Sequence, residues 1–413
     1  MEPPAGTANA NITRPAARLL AAPLPDDSEP MPALAPSPRR SSPKRPAHAS
    51  TSRCRCGRPV FFRNTRCLGC GTPLGYEPAL CCVLPLQAGA QPGDWLVAGG
   101  GGLRPARYRR CANLDRPARC NWLVPVRSRG QTPPACLACR LNRTIPDLAQ
   151  TGNGELWRRI EAAKCRLVAQ MVGLRLPVAS LLYEDPAHGL AFDFLRAPPG
   201  AAPVVTGHHE GIITIDVEEA DDARRERLRQ AMGEPYRTLI GHFRHEIGHY
   251  LWDRLVERSA WLEPFRALFG QEQRPYGDAL AAYYRDGPPA GWQDGFISAY
   301  ATAHPWEDWA ESWAHYLHMA DAVETAERIG IDAAASGLAT RPFGRTALWR
   351  SEHAGAARFL RLLNDWVRLA AVMNEMSRSM GQPDFYPFVL SAPVVAKLHF
   401  IHCLIGETGR AAR

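Results

Sequence analysis

The sequence predicts an α+β protein: a mostly helical domain with a small sheet, preceded by a small cysteine-rich β module and a disordered N-terminal tail. Three observations carry this. Apolar residues recur at helical spacing through 156–171 and 239–255. Residues 189–195 and 211–217 alternate with period two and read as strands. Ten of the twelve cysteines fall between Cys54 and Cys139. The 413 residues, 46% of them hydrophobic, suffice for two or three domains with a sizeable core. The divisions read as 1–50, 51–145 and 150–408. No run approaches the roughly 18 consecutive apolar residues of a membrane span, so no membrane contact is expected. The first residues lack a basic region leading into an apolar one, so a cytoplasmic location is expected.

The tail, 1–50, is rich in Pro, Ala and Ser, and 36–45 reads Pro-Ser-Pro-Arg-Arg-Ser-Ser-Pro-Lys-Arg. Such a segment cannot bury enough apolar surface to offset its ordering. It reads as a solvated extension, with contact to nucleic acid or acidic lipid as the alternative.

The cysteines follow. Cys54-Arg55-Cys56-Gly57 and Cys67-Leu68-Gly69-Cys70-Gly71 form two knuckles around a short strand, Val60-Phe61-Phe62. Four thiolates at this spacing suit one structural Zn²⁺. Cys111, Cys120, Cys136 and Cys139 form a second set of four, read as a second structural Zn²⁺ site. Disulfides are disfavoured in a cytoplasmic chain. Cys81, Cys82, Cys165 and Cys403 are taken as small hydrophobes. Residues 87–102, ending in a glycine run, read as a flexible connection between the two sites. Residues 51–145 hold 15 arginines, no lysine and three acids (Glu77, Asp94, Asp115). With eight thiolates and two Zn²⁺ bound, the module stays at about +8. That balance raises nucleic acid as a partner, against which no base-reading motif is present.

A helix from about residue 155 to 173 opens the main domain, and the two strands follow. Residues 221–230 are a charged linker or helix start. Glu234-Pro235 marks the beginning of the next helix, with proline in its first turn. On that helix His245 and His249, four apart, stack on one face. Two imidazoles so placed can hold one Zn²⁺, and Glu246 can take a proton from a water at that ion, the His-Glu-x-x-His arrangement of zinc peptidases. Gly248 costs about 1 kcal/mol relative to alanine inside a helix, which suggests that another segment approaches there. His242 reads as a packed histidine.

A catalytic zinc needs a third protein ligand. Pro305 suits a helix first turn and acidic residues follow it. Glu307 and Glu311 share a face, so one can bind zinc while the other orients a histidine. Residues 274–295 line the cleft. Trp306, Trp309 and Trp313 build core, and His315 and His318 are secondary candidates for the site. Two further helices, 359–379 and 393–405, complete the domain without evident chemistry.

The tyrosine, proline, Glu-Asp pair and second glutamate of 300–311 resemble the downstream motif of lethal-factor-like, gluzincin-type peptidases. From about Thr51 to the end, the chain resembles a bacterial family of zinc-binding metallopeptidases with an N-terminal zinc ribbon. The resemblance implies a zincin-like metallopeptidase domain with the first glutamate, Glu307, as third ligand. It implies Tyr300 as the oxyanion donor, and Glu311 and Asp308 standing behind the ligands. The expected function is a zinc-dependent endopeptidase acting on peptides or proteins, with one catalytic and two structural Zn²⁺ and Glu246 as general base. The alternative is an inactive zincin scaffold whose basic ribbon binds a protein or nucleic acid.

Overall fold

A computed structural model describes residues 51–98, 107–127, 131–198 and 200–411. The tail, 1–50, and the glycine run, 99–102, lie outside the described residues.

The chain starts with a two-stranded ribbon, β1 (Thr51–Arg53) against β2 (Pro59–Phe61). A five-stranded antiparallel meander follows: β3 (Leu74–Glu77), β4 (Cys82–Ala88), β5 (Trp95–Val97), β6 (Tyr108–Arg110) and β7 (Leu123–Pro125). The expected flexible connection is therefore corrected where it is described. Its residues carry the end of β4 and all of β5, and the turn between them is fixed by Asp94, which accepts from Arg107 and Arg109 at 3.2 and 3.5 Å.

β8 (Asn142–Thr144) follows the last of these cysteines directly, yet belongs to the sheet of the main domain. After α1 (Asn153–Leu174) come β9 (Ala191–Leu195), β10 (Gly207–His209) and β11 (Ile212–Asp216). The sheet order is β10-β11-β9-β8, with only β10 antiparallel to its neighbour. An Arg143–Asp193 ion pair ties β8 to β9. The strand expected at 211–217 is the second arm of a hairpin formed by β10 and β11. Glu210 and Gly211, at φ +46° and +79°, close it between His209 and Ile212, the left-handed pair that matches strand twist. The terminal strand at this end of the sheet is thus β10, and β11 lies inside the sheet.

The rest is helical: α2 (Asp222–Ala231), α3 (Leu239–Leu255), α4 (Leu262–Phe269), α5 (Tyr276–Asp286), α6 (Pro305–Ile329), α7 (Ala356–Ser379) and α8 (Ala392–Ala411). α3 begins later than Pro235 suggested, because Thr238 caps it by accepting from the Gly241 amide at 3.1 Å. α6 starts on Pro305, with His304 as its cap. Residues 274–295 hold a helix, α5, where loop chemistry was expected. One continuous hydrophobic core runs from Val60 and Trp122 in the β module through Trp157, Phe192 and Phe243 to Trp309, Trp313 and Phe400. α3 and α6 pack most closely at Gly248. A Cβ there would lie 3.0 Å from the Ala310 Cα, and the Trp309 indole donates to the Gly248 carbonyl at 2.8 Å. That contact sets two histidines on α3 against two glutamates on α6. Among the described residues no helix is long and apolar enough to cross a membrane.

Candidate metal centre

The apolar face of α3 (Phe243, Ile247, Leu251) is buried in the core, which turns His245 and His249 toward α6. His245 Nε2 lies 3.2 Å from His249 Nε2 and 3.0 Å from Glu307 Oε2, and His249 Nε2 lies 3.7 Å from Glu307 Oε1. One donor atom from each of the three residues falls within 4.8 Å of the others. Glu307 Oε2 is buried and lacks a hydrogen-bond donor, although His245 is close by. A buried carboxylate oxygen without a hydrogen bond is left unsatisfied. A cation with a preference for imidazole and carboxylate fits that donor set.

Each ligand candidate is held from behind. His245 Nδ1 donates to Glu311 Oε1 at 2.8 Å, and Ser298 Oγ donates to Glu311 Oε2 at 2.6 Å. Tyr276 donates to Glu307 Oε1 at 2.7 Å. Against its own burial, His249 and His245 hold the Glu307 carboxylate down to about 2. Burial pulls His249 down to about 4. Burial opposes protonation of His245 as well, but Glu307 and Glu311 hold its pKa well up. Burial pushes the Glu246 carboxyl up to about 7, with Glu307 and Glu311 adding to the rise and His245 opposing it. A carboxyl in that range exchanges protons readily near neutral pH.

Tyr300 sits in a single turn before α6, its ring 6.0 Å from that of His245. Asp308 is elsewhere. Its carboxylate is turned away to a buried ion pair with Lys397 of α8 at 2.6 Å, so its expected place behind the ligands is corrected. Consecutive residues on an α-helix are rotated by about 100°, so Glu307 and Asp308 lie on different faces of α6. The other histidines are engaged away from the centre. His242 Nδ1 lies 3.3 Å from Glu219, His315 bonds the Tyr386 hydroxyl at 2.7 Å, and His318 accepts from Arg244 at 2.6 Å. The sequence reading missed Tyr276. Its position depends on the start of α5 meeting the start of α6, where the Tyr276 ring lies against His304 and Trp306, and nothing local in 274–295 signals that.

Both cysteine sets converge. In the first, Cys54 Sγ–Cys70 Sγ is 3.5 Å and Cys56 Sγ–Cys67 Sγ is 3.7 Å. In the second, Cys120 Sγ–Cys136 Sγ is 3.6 Å. Sulfurs at the corners of a zinc tetrahedron stand about 3.8 Å apart. Gly57 and Gly71 take φ of +80° and +72°, a cheap conformation only for glycine. The Thr72 hydroxyl and amide lower the Cys70 thiol to about 6. The second set, Cys111, Cys120, Cys136 and Cys139, is wholly buried, and Cys139 Sγ lies 3.5 Å from Glu161 of α1.

A fourth group, His353, His399 and Cys403, also lies within 4.8 Å, so Cys403 is more than a small hydrophobe. Yet His353 Nδ1 accepts from the Gly355 amide at 3.0 Å and His399 Nδ1 from the Arg350 amide at 3.4 Å. Those contacts leave the ring protons on Nε2, facing the sulfur and Glu407. The group is a hydrogen-bonded set and not a ligand set.

A mixed α+β fold with these donor clusters fits a zinc-binding protein family of the metallopeptidase type. The chain belongs to the family described as "Putative zinc-binding metallo-peptidase", whose profile matches residues 153–404, and residues 51–150 match a zinc-ribbon domain. Uncharacterized proteins of Mycobacterium bovis and Mycobacterium tuberculosis are 42% identical over 353 residues, which is 85% of this chain and 94% of theirs. No solved structure matches the chain.

Proposed function

We propose that the protein is a zinc-dependent endopeptidase of the gluzincin type. The observation that carries this reading is the convergence of His245, His249 and Glu307 around an unsatisfied carboxylate oxygen, with Glu246 beside them. His245, His249 and Glu307 would hold the ion. A bound zinc supplies Lewis acidity that activates water and polarises a peptide carbonyl. Glu246, with its pKa near 7, accepts a proton from the attacking water and returns it to the leaving amine. Tyr300 donates to the oxygen of the reacting carbonyl. Such a donor is worth about 3 kcal/mol. Tyr276 and Glu311 keep Glu307 and His245 in their orientations. An extended peptide would pair with the open edge of β10. Two Cys₄ zinc sites complete the metal content, which accords with a reducing, cytoplasmic compartment.

The test compares wild type with Glu246→Gln for zinc content and hydrolysis of a denatured protein or peptide library. The expected result is three zincs per chain in both proteins and hydrolysis lost only in the variant. Wild type holding three zincs yet cleaving nothing would give way to the inactive-scaffold reading. Two zincs in wild type would remove the centre itself.

A further inference from the structure

The β module carries a pocket of about 460 Å³ that no metal cluster uses. Arg66, Arg110, Arg116 and Arg119 line it, with Trp95 among the apolar walls and Asp115 as the lone acid. Arg107 and Arg109, next to Arg110, both reach Asp94. Among the described residues, none of the four pocket arginines has a carboxylate within ion-pair distance.

Arg110 stacks its guanidinium over the Trp95 ring, 4.6 Å from the ring centre. Its Nε is buried without a hydrogen-bond partner, and Nη2 makes only a 3.4 Å contact to the Leu74 carbonyl. A guanidinium held over an indole can turn its outer N–H groups to an anion. Arg119 adds an independent sign. It takes φ +47°, a left-handed conformation that disfavours every residue with a Cβ. The turn closed by the Arg119 amide on the Arg116 carbonyl at 2.9 Å would form more easily with glycine. Strain held at a charged, exposed side chain points to a use for that side chain.

We propose that this arginine pocket binds the phosphate backbone of single-stranded nucleic acid, independently of the peptidase reading. Guanidinium forks match phosphate oxygens in pairs. The cavity is of a size to take a nucleotide unit. The arginines surround a cavity and do not project from a helix or ribbon, which suits an unpaired strand whose phosphates can enter it.

The experiment titrates the full-length protein into a fluorescently labelled oligothymidylate and follows anisotropy between about 50 and 200 mM salt. Arg116→Gln and Arg119→Gly are compared with wild type. Binding is expected at low salt and should weaken as salt rises. Each variant should lose roughly tenfold in affinity and about 0.7 in the log–log salt slope. Arg119→Gly should keep or raise the melting temperature, because glycine adopts that φ freely. That separates binding from folding, and the exposed Arg116 has no fold contact to lose. Absence of binding at low salt would overturn the proposal. Variants that bind as tightly as wild type would also overturn it, since the affinity would then reside in the basic tail. Displacement of the oligonucleotide by polyglutamate as readily as by unlabelled oligonucleotide would overturn it in favour of an acidic protein partner.

Discussion

Glu311→Gln isolates the role of a residue that could instead have been a ligand. Glu311 accepts from His245 Nδ1 at 2.8 Å and from Ser298 Oγ at 2.6 Å. The first bond fixes the tautomer whose Nε2 lone pair faces Glu307 and His249. Glutamine keeps the shape and can keep one oxygen on His245, but it removes the charge, and the Ser298 hydroxyl must turn to accept. A hydrogen bond to a charged group contributes about 1.5–3 kcal/mol and a neutral one about 1 kcal/mol. The difference, about 0.5–2 kcal/mol, is about 2- to 30-fold in zinc affinity. That is close to the range of about 10–100-fold usual for partners behind metal ligands. Chelator competition on the most labile zinc, with metal content measured by mass spectrometry, reads the effect. Unchanged affinity would refute the role. Loss of the ion as complete as in Glu307→Ala would make Glu311 a ligand and refute the arrangement itself.

Gly248→Ala should lower the melting temperature and weaken the same zinc. Overpacking of about 1–3 kcal/mol against the Ala310 backbone outweighs about 1 kcal/mol of helix propensity, and a higher melting temperature would contradict it. Cys136→Ser and Cys56→Ser should each lose one zinc. Only the first should lower the melting temperature of the helical part, because its site lies wholly inside the shared core while Cys56 is exposed; equal effects on melting would argue against that division. Cys403→Ser should leave the zinc count unchanged, and a count lower by one would show that His353, His399 and Cys403 bind metal after all.

The parts of the centre that were legible in the sequence are those fixed by spacing along one element. His245 and His249 share a face because the helix repeat puts them there, and Gly248 signalled the close approach that α6 makes. Pro305 marked the start of α6 because its ring suits a first turn. Contacts set by tertiary folding were not legible. Tyr276 reaches Glu307 only because the start of α5 meets the start of α6. Asp308 turns to Lys397, 89 residues away, because burial makes that pair necessary. β5 and β10, three residues each, are too short for an alternating pattern to register. The β10–β11 turn uses Glu-Gly where Asn-Gly or Asp-Gly would have announced it.

The second cysteine site is more than a clamp on the β module. Cys139 adjoins Glu161 of α1, which is paired with the fully buried Lys164 at 2.5 Å. Four thiolates with one Zn²⁺ carry a net charge of about −2, and Lys164 is the nearest cation of α1 placed to offset it. Asn142 of β8 joins the same group through Lys164 and Glu161. Two turns further along α1, Gln170 accepts from Arg244 of α3 at 3.2 Å and donates to the Leu317 carbonyl of α6 at 2.8 Å. Arg166 of α1 and Arg244 both bind Asp321 of α6, at 2.8 and 2.6 Å. A removed partner leaves an uncompensated charge in the buried Glu161–Lys164 and Arg244–Asp321 pairs, at about 3–5 kcal/mol, while the partly exposed Arg166–Asp321 pair contributes less. The three helices therefore shift together or not at all. Displacing α1 by emptying the second cysteine site would move the two helices that set His245 and His249 against Glu307. Such a displacement predicts that Cys136→Ser weakens the labile zinc as well as removing its own, while Cys56→Ser leaves that affinity intact. Equal affinity in the two variants would show that α1 holds its place without the metal.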